Sequence, residues 1–140
     1  MIPCQTALCL ILTPALSRMR ENARVARHFD SLHPAVIRAI DHTIRQARAV
    51  GKPISVCGEM AGDPASAVLL LGMGIDALSM ASPSIPRVKR ALRTFTRQRA
   101  QELVAEAIDA EGPAEVHRLL NAEFERAGLG ALRKARPSRT

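Results

Sequence analysis

The clearest alternation of apolar and polar positions lies between residues 34 and 50. Val36, Ile37, Ile40, Ile44 and Ala47 recur at the 3.6-residue period, while Arg38, Asp41, Arg45 and Arg48 fall mostly outside that stripe. The pattern predicts an amphipathic helix. Ser31 or His33 is placed to cap it. Pro34 stands at its start, where a missing amide hydrogen costs nothing, and Gly51 and Pro53 end it. A short β-branched run, ISVC at residues 54–57, then predicts a strand. It feeds a corner, VCGEMAGDP at residues 56–64, with a cysteine between strand and glycine and then a Gly-Asp-Pro break. Asp63 is placed to cap a compact apolar helix over residues 65–71, with Pro64 just inside it and Gly72-Met73-Gly74 stopping it.

The pattern continues in the same alternation. Residues 75–80, IDALSM, predict a second strand. Ser84 is placed to cap a helix whose apolar face is Ile85, Val88, Leu92 and Phe95, with Arg87, Lys89, Arg90 and Arg93 on its other sides. Two further helices are marked by Leu103, Val104, Ala107 and Ile108, and by Val116, Leu119, Leu120 and Phe124, separated at Gly112-Pro113 and closed by Gly128 and Gly130. Strands alternating with helices imply an α/β fold with parallel pairing and helices outside. Two strands cannot close such a sheet, so the chain reads as the last βα units of a larger α/β structure with extra C-terminal helices. Residues 1–19 fit least: one apolar run at 7–12, where a buried strand is possible, is punctuated by Pro3 and Pro14. The expected organisation is a leader at 1–19, a domain at 20–127 and a basic, disordered tail at 128–140.

Composition changes this picture in three places. At 140 residues there is room for one domain with its own core. Aromatic residues make up 2% of the chain, with only Phe29, Phe95 and Phe124, so the core is aliphatic and no platform for stacking bases exists. The net charge of +7 invites a nucleic-acid reading. The arginines are dispersed, however, and no groove-reading motif accompanies them, so a solvated basic surface is the reading and nucleic acid is not the expected partner. Three cysteines, Cys4, Cys9 and Cys57, make neither a disulfide framework nor a zinc set, which suits a reducing, cytoplasmic setting. The run at 7–12 is too short to span a bilayer, and no Lys or Arg precedes it as in a signal peptide.

The candidate chemistry sits at the corner. Functional residues of parallel α/β folds gather at the carboxyl ends of strands, where Cys57 and the segment Ser79-Met80-Ala81-Ser82 stand. A thiol there can be a nucleophile or a proton donor to a carbanion-like carbon. Its ordinary pKa of about 8.5 keeps it protonated at neutral pH, which suits the donor. A nucleophile would want a histidine base, and spacing places none of His28, His33, His42 and His117 to serve. On spacing alone, Cys57 also fits an inert, buried small residue, as most free cysteines are. Glu59 and Asp63 fit turn and cap roles, and Met60, Met73 and Met80 fit the core.

Residues 33–90, with CGEMAGD, LLLGMGID and SMASPSIPRVK at these spacings, resemble the C-terminal part of phosphoenolpyruvate–protein phosphotransferase, enzyme I of the bacterial phosphotransferase system. The preceding ARVARHFDSLHPAV resembles its nitrogen-related branch, and the likeness runs from about Arg20 to about Phe124. Pyruvate phosphate dikinase shares the Cys-Gly-Glu corner but resembles the rest less. The resemblance implies a (β/α)8 barrel that binds phosphoenolpyruvate with Mg2+ and passes the phosphoryl group to a histidine on a separate domain, and then to a phosphocarrier protein. It implies that Cys57 protonates the enolate carbon to release pyruvate. It implies that Arg20, in Arg20-Glu21-Asn22, binds the substrate phosphate, with Glu21 where the family's Asp-Arg-Asn-Asn element has Asn. The family's Asn-Asp-Leu-Xaa-Gln-Tyr element, which supplies a metal ligand, has no counterpart upstream of Arg20, and none of the four histidines matches the phosphorylation motif. The resemblance therefore implies a truncated member, its first 19 residues unlike the family, whose enzymatic activity on its own is uncertain; the alternative is a non-catalytic remnant that forms a homodimer or binds a full-length relative.

Overall fold

A computed structural model describes residues 8–9 and 30–134. Strand β1 is Leu8–Cys9, helix α1 Pro34–Ala49, strand β2 Ile54–Cys57, helix α2 Glu59–Gly62, helix α3 Pro64–Met73 and strand β3 Ala77–Ser79. A 3-10 turn, Ser82–Ser84, leads into α4 at Ile85–Thr94, followed by α5 at Arg97–Asp109, α6 at Pro113–Arg126 and α7 at Gly130–Lys134. The strands form one parallel sheet in the order β1-β2-β3, with Leu8 opposite Ile54 and Cys57 opposite Ser79. Parallel neighbours need a crossover, and α1 and then α2–α3 supply the two. The α/β reading with parallel strands is met. Among the described residues the proportion of helix is high, and the sheet is a small one of three strands.

Helix α1 forms as its pattern dictates. The Nδ1 of His33 accepts a hydrogen bond from the Ala35 amide at 3.2 Å, Pro34 takes the first position, and Ile37, Ile40 and Ile44 are buried. Asp41, placed on the polar side by the sequence pattern, is only 8% exposed; the Arg45 guanidinium pairs with it one turn on. The helix ends where Gly51, at φ 65°, lets the Lys52 amide reach back to the Ala47 carbonyl at 2.9 Å.

Helix α3 has no periodic stripe because it is buried on every side, from Pro64 through Leu70 and again at Gly72 and Met73. A helix apolar all round belongs at the centre of a core. It runs two residues past the expected end at Leu71. Gly72 does not stop it; a Cβ there would stand 2.3 Å from the Ala100 carbonyl oxygen of α5, so the glycine permits close helix packing. The stop is Gly74, at φ 84°, whose amide donates to the Leu70 and Leu71 carbonyls.

The second strand is shorter than the six residues expected, beginning at Ala77. Asp76 acts as a clasp instead: its carboxylate accepts from the Ile54 amide at 2.8 Å while its own amide donates to the Ile54 carbonyl at 3.2 Å. Ser84 makes no capping bond with its side chain and closes the 3-10 turn that starts α4. On α4, Val88 is buried and Leu92 is half-buried, but Ile85 is 40% exposed. Phe95 lies just beyond the helix and stacks on Phe124 of α6, the ring centres 5.2 Å apart. Residues 130–134, counted with the basic tail on sequence, form α7, with Leu129 before it buried.

The two faces of the sheet differ. Ile54 and Val56 are buried and Leu78 packs against the same core, so this face meets the helices. The alternate positions, Ser55, Cys57, Ala77 and Ser79, are half-exposed or exposed. Beside β3 an open groove of about 570 Å³ is lined by Leu71, Ile75, Leu78, Met80, Ile85 and Leu92 among others.

Candidate functional site

The corner is assembled at the carboxyl ends of β2 and β3. Period-two alternation sends Ile54 and Val56 to the helices and leaves Cys57 on the small, polar face of the sheet. Cys57 is half-buried rather than sealed in the core. Ser79 stands opposite it in register, and the Gly58 amide donates to the Ser79 carbonyl at 3.1 Å, carrying the pairing one residue past the strand.

Gly58 has φ 98° and ψ −155°, a backbone region open essentially to glycine alone. The reversal there turns the chain away from the sheet within one residue of the thiol. A short helix, α2, follows, which the sequence reading had as part of the turn; Glu59 stands exposed in its first turn. Asp63 then caps α3 as expected. One carboxylate oxygen accepts from the Ser66 amide at 3.0 Å and from the Ser66 hydroxyl at 2.8 Å. From the other side, Ser84 packs against Gly62, where an added Cβ would lie 3.2 Å from the Ser84 Oγ. The corner is thus held by the backbone geometry at Gly58 and by the Asp63 cap.

The other expected participants are distributed differently. Arg20 lies outside the described residues. His33 is engaged in capping α1, and the Nε2 of His117 bonds to Asp30 at 2.7 Å. Among the described residues, no group of three His, Cys, Asp or Glu side chains could hold a metal. The carboxylates at the corner are Asp63, which caps α3 through Ser66, and Glu59. Mg2+ is held by one or two carboxylates together with substrate phosphates in near-octahedral array. The described residues do not make up such a set. No described helix is long and apolar enough to cross a membrane. The arrangement offers a thiol at a strand end, half-exposed, beside a sharply turning backbone, where it can act as a proton donor or a nucleophile. The clasp of Asp76 and the close approach at Gly72 escaped the sequence reading; the only signal of either was an aspartate just before a strand and a glycine inside an apolar run.

Residues 12–97 match the family described as PEP-utilising enzyme, PEP-binding domain. The chain is 42% identical over 113 residues to the Salmonella typhimurium protein named phosphoenolpyruvate-dependent phosphotransferase system, covering 81% of this chain and 15% of that protein. It is 44% identical over 96 residues to the Cupriavidus necator phosphoenolpyruvate-protein phosphotransferase, covering 69% and 16%. It is 41% identical over 101 residues to the Haloferax volcanii protein of the same name, covering 72% and 18%. The chain therefore spans under a fifth of the length of these relatives.

Proposed function

Because the chain belongs to the PEP-utilising enzymes, in their PEP-binding domain, we propose that it forms the proton-donating end of a phosphoenolpyruvate-dependent phosphotransferase site. In the reaction, the bond between the phosphoryl group and the enol oxygen breaks and the phosphoryl group passes to a histidine. The enolate left behind takes a proton on carbon from the Cys57 thiol, giving pyruvate and a thiolate that water reprotonates. A thiol suits this step because it is neutral and carries its proton at pH 7. Arg20 is the proposed contact for the phosphate. Mg2+, which neutralises developing charge in such transfers, finds no ligand set among the described residues, and no step is assigned to it. The histidine acceptor, the phosphocarrier protein, the rest of a barrel and a cytoplasmic setting belong to the same proposal.

One observation carries the reading: Cys57 ends β2 on the face of the sheet turned away from the helices, next to Ser79 and before a glycine-only turn. In a sheet curled into a barrel that face is the interior, and strand ends there line the site.

The test is a chimera. Residues 12–97, the part that matches the family, replace the corresponding segment of the Cupriavidus necator relative, and pyruvate formation from phosphoenolpyruvate is followed with Mg2+ and an acceptor. The chimera is expected to turn over. Its Cys57→Ala form is expected to lose at least about 100-fold, the scale of a general acid. The 140-residue chain alone is expected to release no pyruvate. Equal rates for the two chimeras would remove Cys57 from the reaction.

A further inference from the structure

Four ionisable side chains from four places in the chain meet beside the corner. His117 projects from α6, Arg133 from α7, Asp30 from the segment before α1, and Asp63 from the start of α3. The Nε2 of His117 lies 2.7 Å from a carboxylate oxygen of Asp30, and its Nδ1 lies 3.1 Å from the Nη2 of Arg133. The Arg133 Nε donates to the Asn121 side-chain oxygen at 2.7 Å, and its Nη1 stands 3.9 Å from Asp63. The Arg133 side chain is only 13% exposed. Arg87 of α4 adds a bond from its Nη2 to the Leu132 carbonyl at 3.0 Å.

The chemistry fixes the proton on His117. A guanidinium has donors and no acceptor. Nδ1 must therefore present its lone pair to Arg133, which leaves the hydrogen on Nε2 to be donated to Asp30. Protonation would place a second hydrogen on Nδ1, facing the Arg133 donor, and a positive charge beside a positive charge. The Asp30 contact would become an ion pair at the same time. The two neighbours respond in opposite senses, and only the Arg133 side is broken.

We propose that His117 is a pH-sensitive part of the latch that holds the C-terminal helix α7: neutral, it accepts a hydrogen bond from Arg133 and helps hold α7 against α6 and the Asp63 corner; protonated, it keeps Asp30 and loses the Arg133 bond, which leaves α7 to the contacts of Arg133 with Asn121 and Asp63 and of Arg87 with Leu132. The charged groups around the latch among the described residues include Asp30 before α1, Asp63 at the start of α3, Arg87 on α4, Arg133 on α7 and Glu125 on α6, whose carboxylate lies against Gly130 of α7. Imidazole is the side chain whose charge changes between pH 5 and 8, above the range in which carboxylates titrate. This device is independent of the role given to Cys57.

The experiment is amide exchange of the full chain, followed at Leu129 and Leu132, whose amides bond to the Phe124 and Leu129 carbonyls. After correction for intrinsic rates, protection at both is expected to fall between pH 7.5 and pH 5.5, while buried amides of α3 hold. In His117→Asn, whose amide oxygen takes the place of Nδ1 and does not titrate, protection is expected to stay flat. Imidazole nitrogen shifts of the wild type are expected to show hydrogen on Nε2 at pH 7.5. Hydrogen on Nδ1 at that pH, unchanged protection in the wild type, or the same fall in His117→Asn would overturn the latch.

Discussion

Two glycines near the site show how different single-residue constraints can be. Gly58 needs its conformation, since a Cβ there would meet nothing within 4 Å yet φ is 98°. Gly72 needs its emptiness, since a Cβ would overlap the backbone of Ala100. Gly58→Ala is expected to cost about 1–2 kcal/mol through backbone strain alone. Gly72→Ala is expected to cost about 3 kcal/mol, because α3 and α5 must separate. Urea unfolding of the two variants measures the difference, and a smaller loss at Gly72 would mean the helices yield easily. Asp63 gives a third test. Asp63→Ala removes the cap of α3 and is expected to cost about 1 kcal/mol, whereas Asp63→Asn keeps an acceptor and is expected to cost a few tenths; equal losses would show that charge, not capping, is what matters there. At this scale the sequence was legible wherever a residue type admits one job. Asp63 before Pro64 announced a cap. Cys57 was ambiguous, because a thiol at a strand end looks the same whether sealed or open, and only the alternation of burial along β2 separates the two.

Among the elements, α1 was read almost to the residue because one face is buried and one is wet, so period and burial coincide. Helix α3 lost its legible end because a helix buried all round carries no period, and its glycine reads as a stop when its real neighbour lies on α5. The second strand was read too long because Ile75-Asp76 continues the apolar rhythm, while the backbone there turns so that Asp76 can hold the Ile54 amide. That clasp joins the entries of two strands. Asp76→Ala is expected to lower stability by about 1 kcal/mol and to raise amide exchange at Ile54 before any other β2 position; Asp76→Asn should recover most of the loss. Uniform exchange along β2 in the alanine variant would show the clasp to be idle. Thr96, which caps α5 through the Arg99 amide at 3.1 Å, is an ordinary cap residue in an ordinary place and could have been found from the sequence.

At the scale of the whole molecule, helices joined by short connections are tied together by charge. Both Glu123 carboxylate oxygens lie 3.0 Å from Arg99 nitrogens in a two-pronged pairing between α5 and α6, and Glu123 is only 8% exposed. The hydrogen bonds from Arg99 hold the Glu123 carboxyl below its ordinary range. A depressed acid contributes stability that is present above its unfolded pKa of about 4.3 and is lost as pH falls through its lower folded value. Glu123→Gln is therefore expected to be less stable than the wild type at pH 6–7 by about 1–2 kcal/mol, with the gap closing below about pH 4. A gap that stays constant down to pH 3 would assign the loss to packing. On this scale the sequence told least. Its period showed βα units, but the exposure of one face of the sheet, and the arrangement of α4 to α7 around α3, depend on contacts between residues far apart in the chain.

The clasp between Asp76 and Ile54 has a kinetic consequence. Ile54 and Asp76 are 22 positions apart, and the helices α2 and α3 lie between them in the chain. Leu8 and Ile54 lie about twice as far apart, and closing that loop costs more chain entropy. Segments that meet across short stretches meet first. The β2–α3–β3 unit is therefore expected to be the nucleus of folding, with substitutions at Val68 or Leu69 slowing refolding and changes at the β1 edge mainly speeding unfolding. The corner that carries Cys57 would then be among the earliest parts of the chain to take shape, formed before its surroundings arrive.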